Sequence, residues 1–182
     1  SVQFEAFKGG ESSSFRELNA ERWETSYNFP AIESGDIVKS LIPHKRPSGI
    51  SGYVMNTRQS KFQDWRVRQA LINAFNFEFI NQANTGGRQK RITSDFSNSV
   101  LALKPGHATG RVLEFLEPHQ EELLPGTIEG YTLPASNGTV RNRANILIAD
   151  DLLNQAGWVV DDGKRKNAKG EEFTITVLLK QG

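Results

Sequence analysis

SGYVMNTRQSKFQDWRVRQALINAFNFEFINQ, residues 51–82, passes from a β-type segment through a short polar turn into a helix. The strand is expected over residues 52–57. Asp64 stands where an N-cap belongs, because its carboxylate can accept a backbone N–H of the first turn. Val67, Leu71, Phe75 and Phe79 then recur every four residues, with Ala70, Ala74 and Ile80 beside them. That is a broad apolar stripe, which predicts one helix packed flat on a sheet and ending near Gly86 and Gly87. Arg66 and Arg68 stand in the first turn, where the helix dipole disfavours a cation. Asp64 lies four residues before Arg68, and such a pair offsets about 0.2–0.5 kcal/mol.

The flanking sequence supplies the other elements. Residues 2–7 alternate apolar and polar, the period of a half-buried strand. Ser14 and Glu17 have capping-box spacing for a helix carrying Phe15, Leu18, Arg22 and Trp23. Residues 31–35 suit a short helix, and residues 37–42 a strand stopped by Pro43. Residues 111–124 suit a helix in which Pro118 either breaks the chain of turns or starts a second one. Residues 143–155 show helical periodicity, with Gly157 as the C-terminal stop. Val159 and Val160, a turn at Asp162 and Gly163, and residues 173–179 suit a β-ribbon. Two long loops, 92–110 and 125–141, are unusual in so short a chain, and such loops are commonly functional or dock on another part.

The chain has 182 residues, enough for one domain or one lobe of a larger protein. A 37% hydrophobic and 24% charged composition is that of a globular protein. A net charge of +1 supplies no field for steering nucleic acid or holding an anionic membrane. The absence of cysteine excludes disulfide and thiolate chemistry. No apolar run approaches the roughly 20 residues that span a bilayer. The chain starts at Ser1 without a signal peptide and closes just after a strand-like run, which suggests a piece of a longer polypeptide.

No catalytic constellation stands out. His44, His107 and His119 have no metal-ligand spacing, so no metal is expected. Ser12 and Ser48 lack the glycine frame of a nucleophile elbow. Asp150 with Asp151, and Glu121 with Glu122, are neighbours that point apart on a helix and read as solvated faces. Gly86, Gly87, Arg88, Lys90 and Arg91 could cradle a phosphate, but they follow a helix, where glycine stops the chain and cations suit the dipole. Asn137, Gly138 and Thr139 match a glycosylation acceptor and carry no chemistry of their own.

Asn56, Thr57, Arg58, Phe62, Asp64, Arg66, Val67, Arg68 and Ala70 together resemble a signature of the extracellular solute-binding proteins, family 5. Residues 15–17 with 19–23, residues 42–49 and residues 156–158 are similar to its YejA-type branch, among oligopeptide- and dipeptide-binding proteins. Residues 93–99 resemble a serine-, aromatic- and asparagine-containing loop of that branch, with Asp95 where an aromatic residue is expected. The resemblance implies a mixed α/β fold: a sheet with flanking helices, one lobe of the type II periplasmic-binding-protein architecture, residues 1–182 being most of the second lobe. It implies a periplasmic, non-catalytic peptide binder without cofactor. Its partners would be a peptide or peptide-like ligand, the permease of an ABC importer, and the first lobe of the same polypeptide.

Ligands of open α/β folds lie outside the carboxyl ends of the strands. Tyr53, Asn56, Thr57 and Arg58 are therefore candidate ligand contacts, together with Ser94, Asp95 and Phe96. Asn56 and Thr57 suit a turn equally well. Arg66 either braces the strand–helix corner or lines the cleft and meets a peptide carboxylate. A solute-sensing module of a transcriptional regulator is the alternative from another class. A hydrolase would need a nucleophile–base pair that the sequence does not display.

Overall fold

The computed structural model describes residues 2–179, in two units, Ser1–His44 and Lys45–Gly182. The first unit holds α1 (Val2–Lys8), α2 (Ala20–Thr25) and α3 (Pro30–Glu33). Its nucleus is aromatic: Phe4, Phe7 and Tyr27 are buried, with Phe15, Trp23, Phe29, Ile32 and Ile37 packed around them. The Phe4 ring lies 5.1 Å from Tyr27 and 5.7 Å from Phe15, in the tilted geometry that aromatic quadrupoles favour.

Three expectations fail in this unit. Residues 2–7 are helical, because Phe4 and Phe7 are three apart and share one helix face toward the aromatic nucleus. Ser14 caps nothing; α2 starts later, with the Asn19 side chain accepting the Arg22 N–H at 2.9 Å. Glu17 instead accepts the N–H groups of Leu18 and Asn19. Residues 37–42 form no strand; Val38, Leu41 and Ile42 are about 80% exposed, with no ladder partner among the described residues.

The second unit is built on a helix pair. It contains α4 (Ser60–Gln63), α5 (Trp65–Ala74), α6 (Phe77–Thr85), α7 (Arg111–Leu116) followed by a 3-10 turn (Glu117–Glu122), and α8 (Arg143–Gln155). A two-stranded antiparallel ribbon follows, β1 (Val159–Asp161) with β2 (Lys164–Lys166). Phe62, Val67 and Ala70 meet Ala149 and Leu153 in its core, and Val67 is wholly buried. Small side chains at Ala70 and Ala149 let the axes of α5 and α8 approach, as ridge-into-groove packing requires.

The expected long helix is two. The chain breaks at Phe75 and Asn76, where Asn76 donates to the Thr139 carbonyl at 2.7 Å and accepts the Ser136 hydroxyl at 2.7 Å. Phe75 leaves the stripe and is 42% exposed. Gly86 closes α6 in the left-handed conformation, φ 62°, as its position after the stripe suggested. The expected sheet beneath α5 is replaced by α8, and residues 52–57 form no strand. The mixed sheet is therefore not present among the described residues, whose strands are β1 and β2. The turn at Asp162 and Gly163 is as read, but β1 pairs with β2 and not with residues 173–179. Glu172 makes a lone antiparallel bridge to Lys166.

Asp150 is no free solvated carboxylate. It pairs with Arg165, which also donates to the Asn154 side chain and the Trp158 carbonyl, fastening the ribbon to α8. Among the described residues no helix is long and apolar enough to cross a membrane.

Candidate ligand-binding site

The corner that opens α5 is built by Asp64. Its carboxylate accepts the Arg66 backbone N–H at 2.9 Å, the N-cap bond. It also takes the Arg66 guanidinium through two nitrogens, Nε at 3.1 Å and Nη2 at 2.6 Å. That bond holds the Asp64 carboxyl below its usual range, and the same pair raises the Arg66 guanidinium further. Arg68 turns the other way and donates to the carbonyls of Phe62 and Gln63, at 2.6 and 2.9 Å. The cation disfavoured at a helix start is thus hydrogen-bonded by carbonyls of the preceding turn, while its charge still acts on the Asp64 carboxylate without a direct bond.

Upstream, Asn56 closes the turn into α4. Its side-chain oxygen accepts both the backbone N–H and the Nε of Arg58 at 3.2 Å, and its carbonyl accepts the Gln59 N–H. Thr57 and Arg58 are exposed. Tyr53 is 63% exposed, beside Val54 at 94%, while Met55 packs inward on the helix pair.

The 93–99 loop is an ordered hydroxyl knot. Ser97 Oγ accepts the Ser94 N–H at 3.1 Å, Ser99 Oγ donates to the Phe96 carbonyl at 2.7 Å, and Ser94 Oγ accepts the Leu103 N–H at 3.3 Å. This knot is sewn to residues 46–49. Ser48 N–H donates to the Ser97 carbonyl, Gly49 N–H to the Asp95 carbonyl, and Asn98 to the Arg46 carbonyl. Asp95 and Phe96 remain exposed and Ser94 is half-buried. Among the described residues, hydrogen bonds join Asn56 to Arg58, Arg66 to Asp64, and the Ser94–Phe96 loop to residues 46–49; they do not join these three groups to one another.

Sequence reasoning gave residues 46–49 no place at the site. The signal was their position just before Tyr53, in a basic, proline- and glycine-bearing run. It also missed the polar seam that holds the second long loop. Tyr131 donates to Gln69, Arg91 to the Pro134 carbonyl, Ser136 N–H to Glu78, Asn142 to the Asn73 carbonyl and Asn145 to the Ala135 carbonyl. Burial pushes the Glu78 carboxyl up, but the Ser136 N–H and the Arg91 charge outweigh it and hold it low. A hollow of about 460 Å³ opens here, lined by Ser136, Asn137, Asn142, Arg143 and Leu147 among others. Another, about 360 Å³, lies along Gln120, Leu123 and Ile128. None of the eight sequence-predicted contacts lines either hollow.

These loops expose rings, amides and hydroxyls, groups able to hold a polar solute. Residues 1–181 match the family described as "Bacterial extracellular solute-binding proteins, family 5 Middle". The chain is 35% identical over 188 residues to "Peptidoglycan-binding protein YepA" of Agrobacterium fabrum, covering 97% of this chain and 30% of that protein. It is 35% identical over 182 residues to "Probable peptide-binding protein YejA" of the same organism, covering 98% of this chain and 30% of that protein. It is 33% identical over 181 residues to "Uncharacterized protein YejA" of Escherichia coli, with 98% and 30% coverage. The chain thus spans about 30% of the length of these curated relatives. With the family pattern running through both units almost from end to end, the chain is a member of the bacterial extracellular solute-binding proteins, family 5.

Proposed function

We propose that these residues form part of one lobe of a periplasmic protein that captures peptides or peptide-like solutes and hands them to the permease of an ABC importer, without a chemical step. The observation that carries the reading is the match over residues 1–181 to a solute-binding family, joined by relatives whose names give peptide or peptidoglycan as ligand. Peptides and peptidoglycan stems share an amide backbone, which exposed loop amides and hydroxyls recognise by hydrogen bonds. Tyr53 and Phe96, residues 63% and 50% exposed, supply apolar contact. Thr57 and Arg58 supply polar contact beside the corner that Asn56 and Arg66 build, and Ser94 and Asp95 supply it from the 93–99 loop.

Calorimetric titration of the full-length protein with short peptides and with purified peptidoglycan stem peptides tests this. Saturable binding of either is expected, weakened at least about tenfold by the double variant Tyr53→Ala, Phe96→Ala. Absence of binding to both ligand sets overturns the ligand class. Unchanged affinity in the double variant overturns the site.

A further inference from the structure

Asn137 and Gly138 form the single Asn-Gly pair of the chain. Glycine has no Cβ to shield its backbone nitrogen, and a Cβ built on Gly138 would meet nothing within 4 Å. The Asn137 side chain is held by its oxygen alone. Oδ1 accepts the Thr139 hydroxyl at 2.8 Å and the Thr139 N–H at 3.1 Å. Two donors on one carbonyl oxygen draw electrons from Cγ and stabilise the negative charge that an attack there would develop. Nδ2 donates to nothing among the described residues. Asn73, Asn142, Asn145 and Asn154, by contrast, each commit the amide nitrogen to a carbonyl or carboxylate oxygen.

The flanking residues fix the pair in place. Ser136 Oγ accepts the Gly138 N–H at 3.1 Å and donates to Asn76 Oδ1 at 2.7 Å. The Thr139 carbonyl accepts Asn76 Nδ2 at 2.7 Å. Ser136 and Thr139 are thus two posts on Asn76, where α5 gives way to α6, and residues 137 and 138 are strung between them.

We propose that Asn137 is a self-modifying residue, converted in the folded protein through a cyclic imide with Gly138 to an aspartyl or isoaspartyl residue. The Gly138 nitrogen bonds to Asn137 Cγ, the Cγ–Nδ2 bond breaks, and the displaced proton departs with the side-chain amide as ammonia. Water then opens the imide. Opening at Cγ restores the original backbone and leaves a carboxylate on the side chain. Opening at the backbone carbonyl carbon routes the chain through Cβ and Cγ, longer by a methylene between the posts that hold Asn76. Either product sets a negative charge on the rim of the hollow that Asn137 shares with Arg143.

Incubating the full-length protein in mildly alkaline, heavy-oxygen water tests this, with a synthetic peptide of residues 134–141 as reference. Peptide mapping should find heavy oxygen at residue 137, acquired at a rate within about tenfold of the peptide's, because the reacting groups need no prior unfolding. Thr139→Val, which removes the hydroxyl donor, should slow conversion at least about threefold in the protein relative to the same change in the peptide. Gly138→Ala should leave residue 137 intact over the same interval. Conversion more than about tenfold slower in the protein than in the peptide overturns the proposal. So does conversion that Thr139→Val fails to slow.

Discussion

The Glu17 side chain is 5% exposed and receives four donors: the N–H groups of Leu18 and Asn19 at 2.9 and 2.8 Å, the Tyr27 hydroxyl at 3.4 Å and Arg22 at 3.5 Å. The Asn19 N–H does most to hold its carboxyl below the usual value, while burial beside this anion raises the Tyr27 phenol. A carboxylate depressed in the folded state stabilises fully above its unfolded value of about 4.3, and that contribution is lost as pH falls through the lower folded value. Urea denaturation against pH, followed by Trp23 and Tyr27 emission, should show this loss below about pH 4.3, and Glu17→Gln should flatten it. Glu17→Ala removes these acceptor contacts while leaving the Leu18 and Asn19 N–H groups open to water, and should cost about 0.5–1.5 kcal/mol. Asp64→Ala removes a cap and the Arg66 partner and should lower the stability of the second unit by about 0.5–2 kcal/mol, read in urea from Trp65 and Trp158 emission. Asp64 was legible as a cap because a carboxylate before an apolar stripe has few other roles. Arg68 acts on Asp64 through its charge, as the spacing suggested, but its direct bonds to the carbonyls of Phe62 and Gln63 were not legible. The four-residue rule compares positions inside a helix, and Asp64 sits outside, in extended backbone with ψ 120°.

At the scale of elements, α8 was legible from its period alone, and α5 from its cap and apolar stripe, because helical hydrogen bonds are local and the stripe names its own buried face. The strands were not. A strand's bonds go to another segment, so residues 37–42 and 52–57 show the alternation without revealing whether a partner exists. The break between α5 and α6 was hidden for the same reason, since its cause, Asn76 bonded to Ser136 and Thr139, lies some sixty residues downstream. The site was legible in part: Asn56 as a turn former followed from residue type, whereas the stitching of residues 46–49 to the 93–99 loop depends on backbone bonds. A comparable backbone approach gives a sharp test. Gly130 has φ 98°, and a Cβ there would stand 2.5 Å from the Gly106 carbonyl oxygen, in a corner where Ala108 N–H bonds the carbonyl of buried Ile128. Gly130→Ala should therefore destabilise the second unit by at least about 1–3 kcal/mol, whereas Gly138→Ala, with nothing within 4 Å, should cost less. Paired thermal melts compare them.

At the scale of the molecule, affinity in the proposed function comes from enclosing a solute between parts of a longer protein. The isolated 182-residue chain should bind peptides with a Kd weaker than about 1 mM, a free energy smaller in magnitude than about 4 kcal/mol. Calorimetry giving micromolar binding would show that these residues suffice alone. The division of the chain at His44 and Lys45 has a consequence for handling the protein. Every residue from 41 to 50 is exposed, and Lys45 and Arg46 stand at the border of units that each keep a buried nucleus of their own. Brief trypsin digestion should therefore cut first after Lys45, since Pro47 protects the bond after Arg46, and spare Arg141 and Arg143, which flank buried Asn142 where it is tethered to the Asn73 carbonyl. Mass spectrometry of the earliest fragments would then find two long-lived pieces, a natural seam along which the chain can be parted and each half crystallised or labelled by itself.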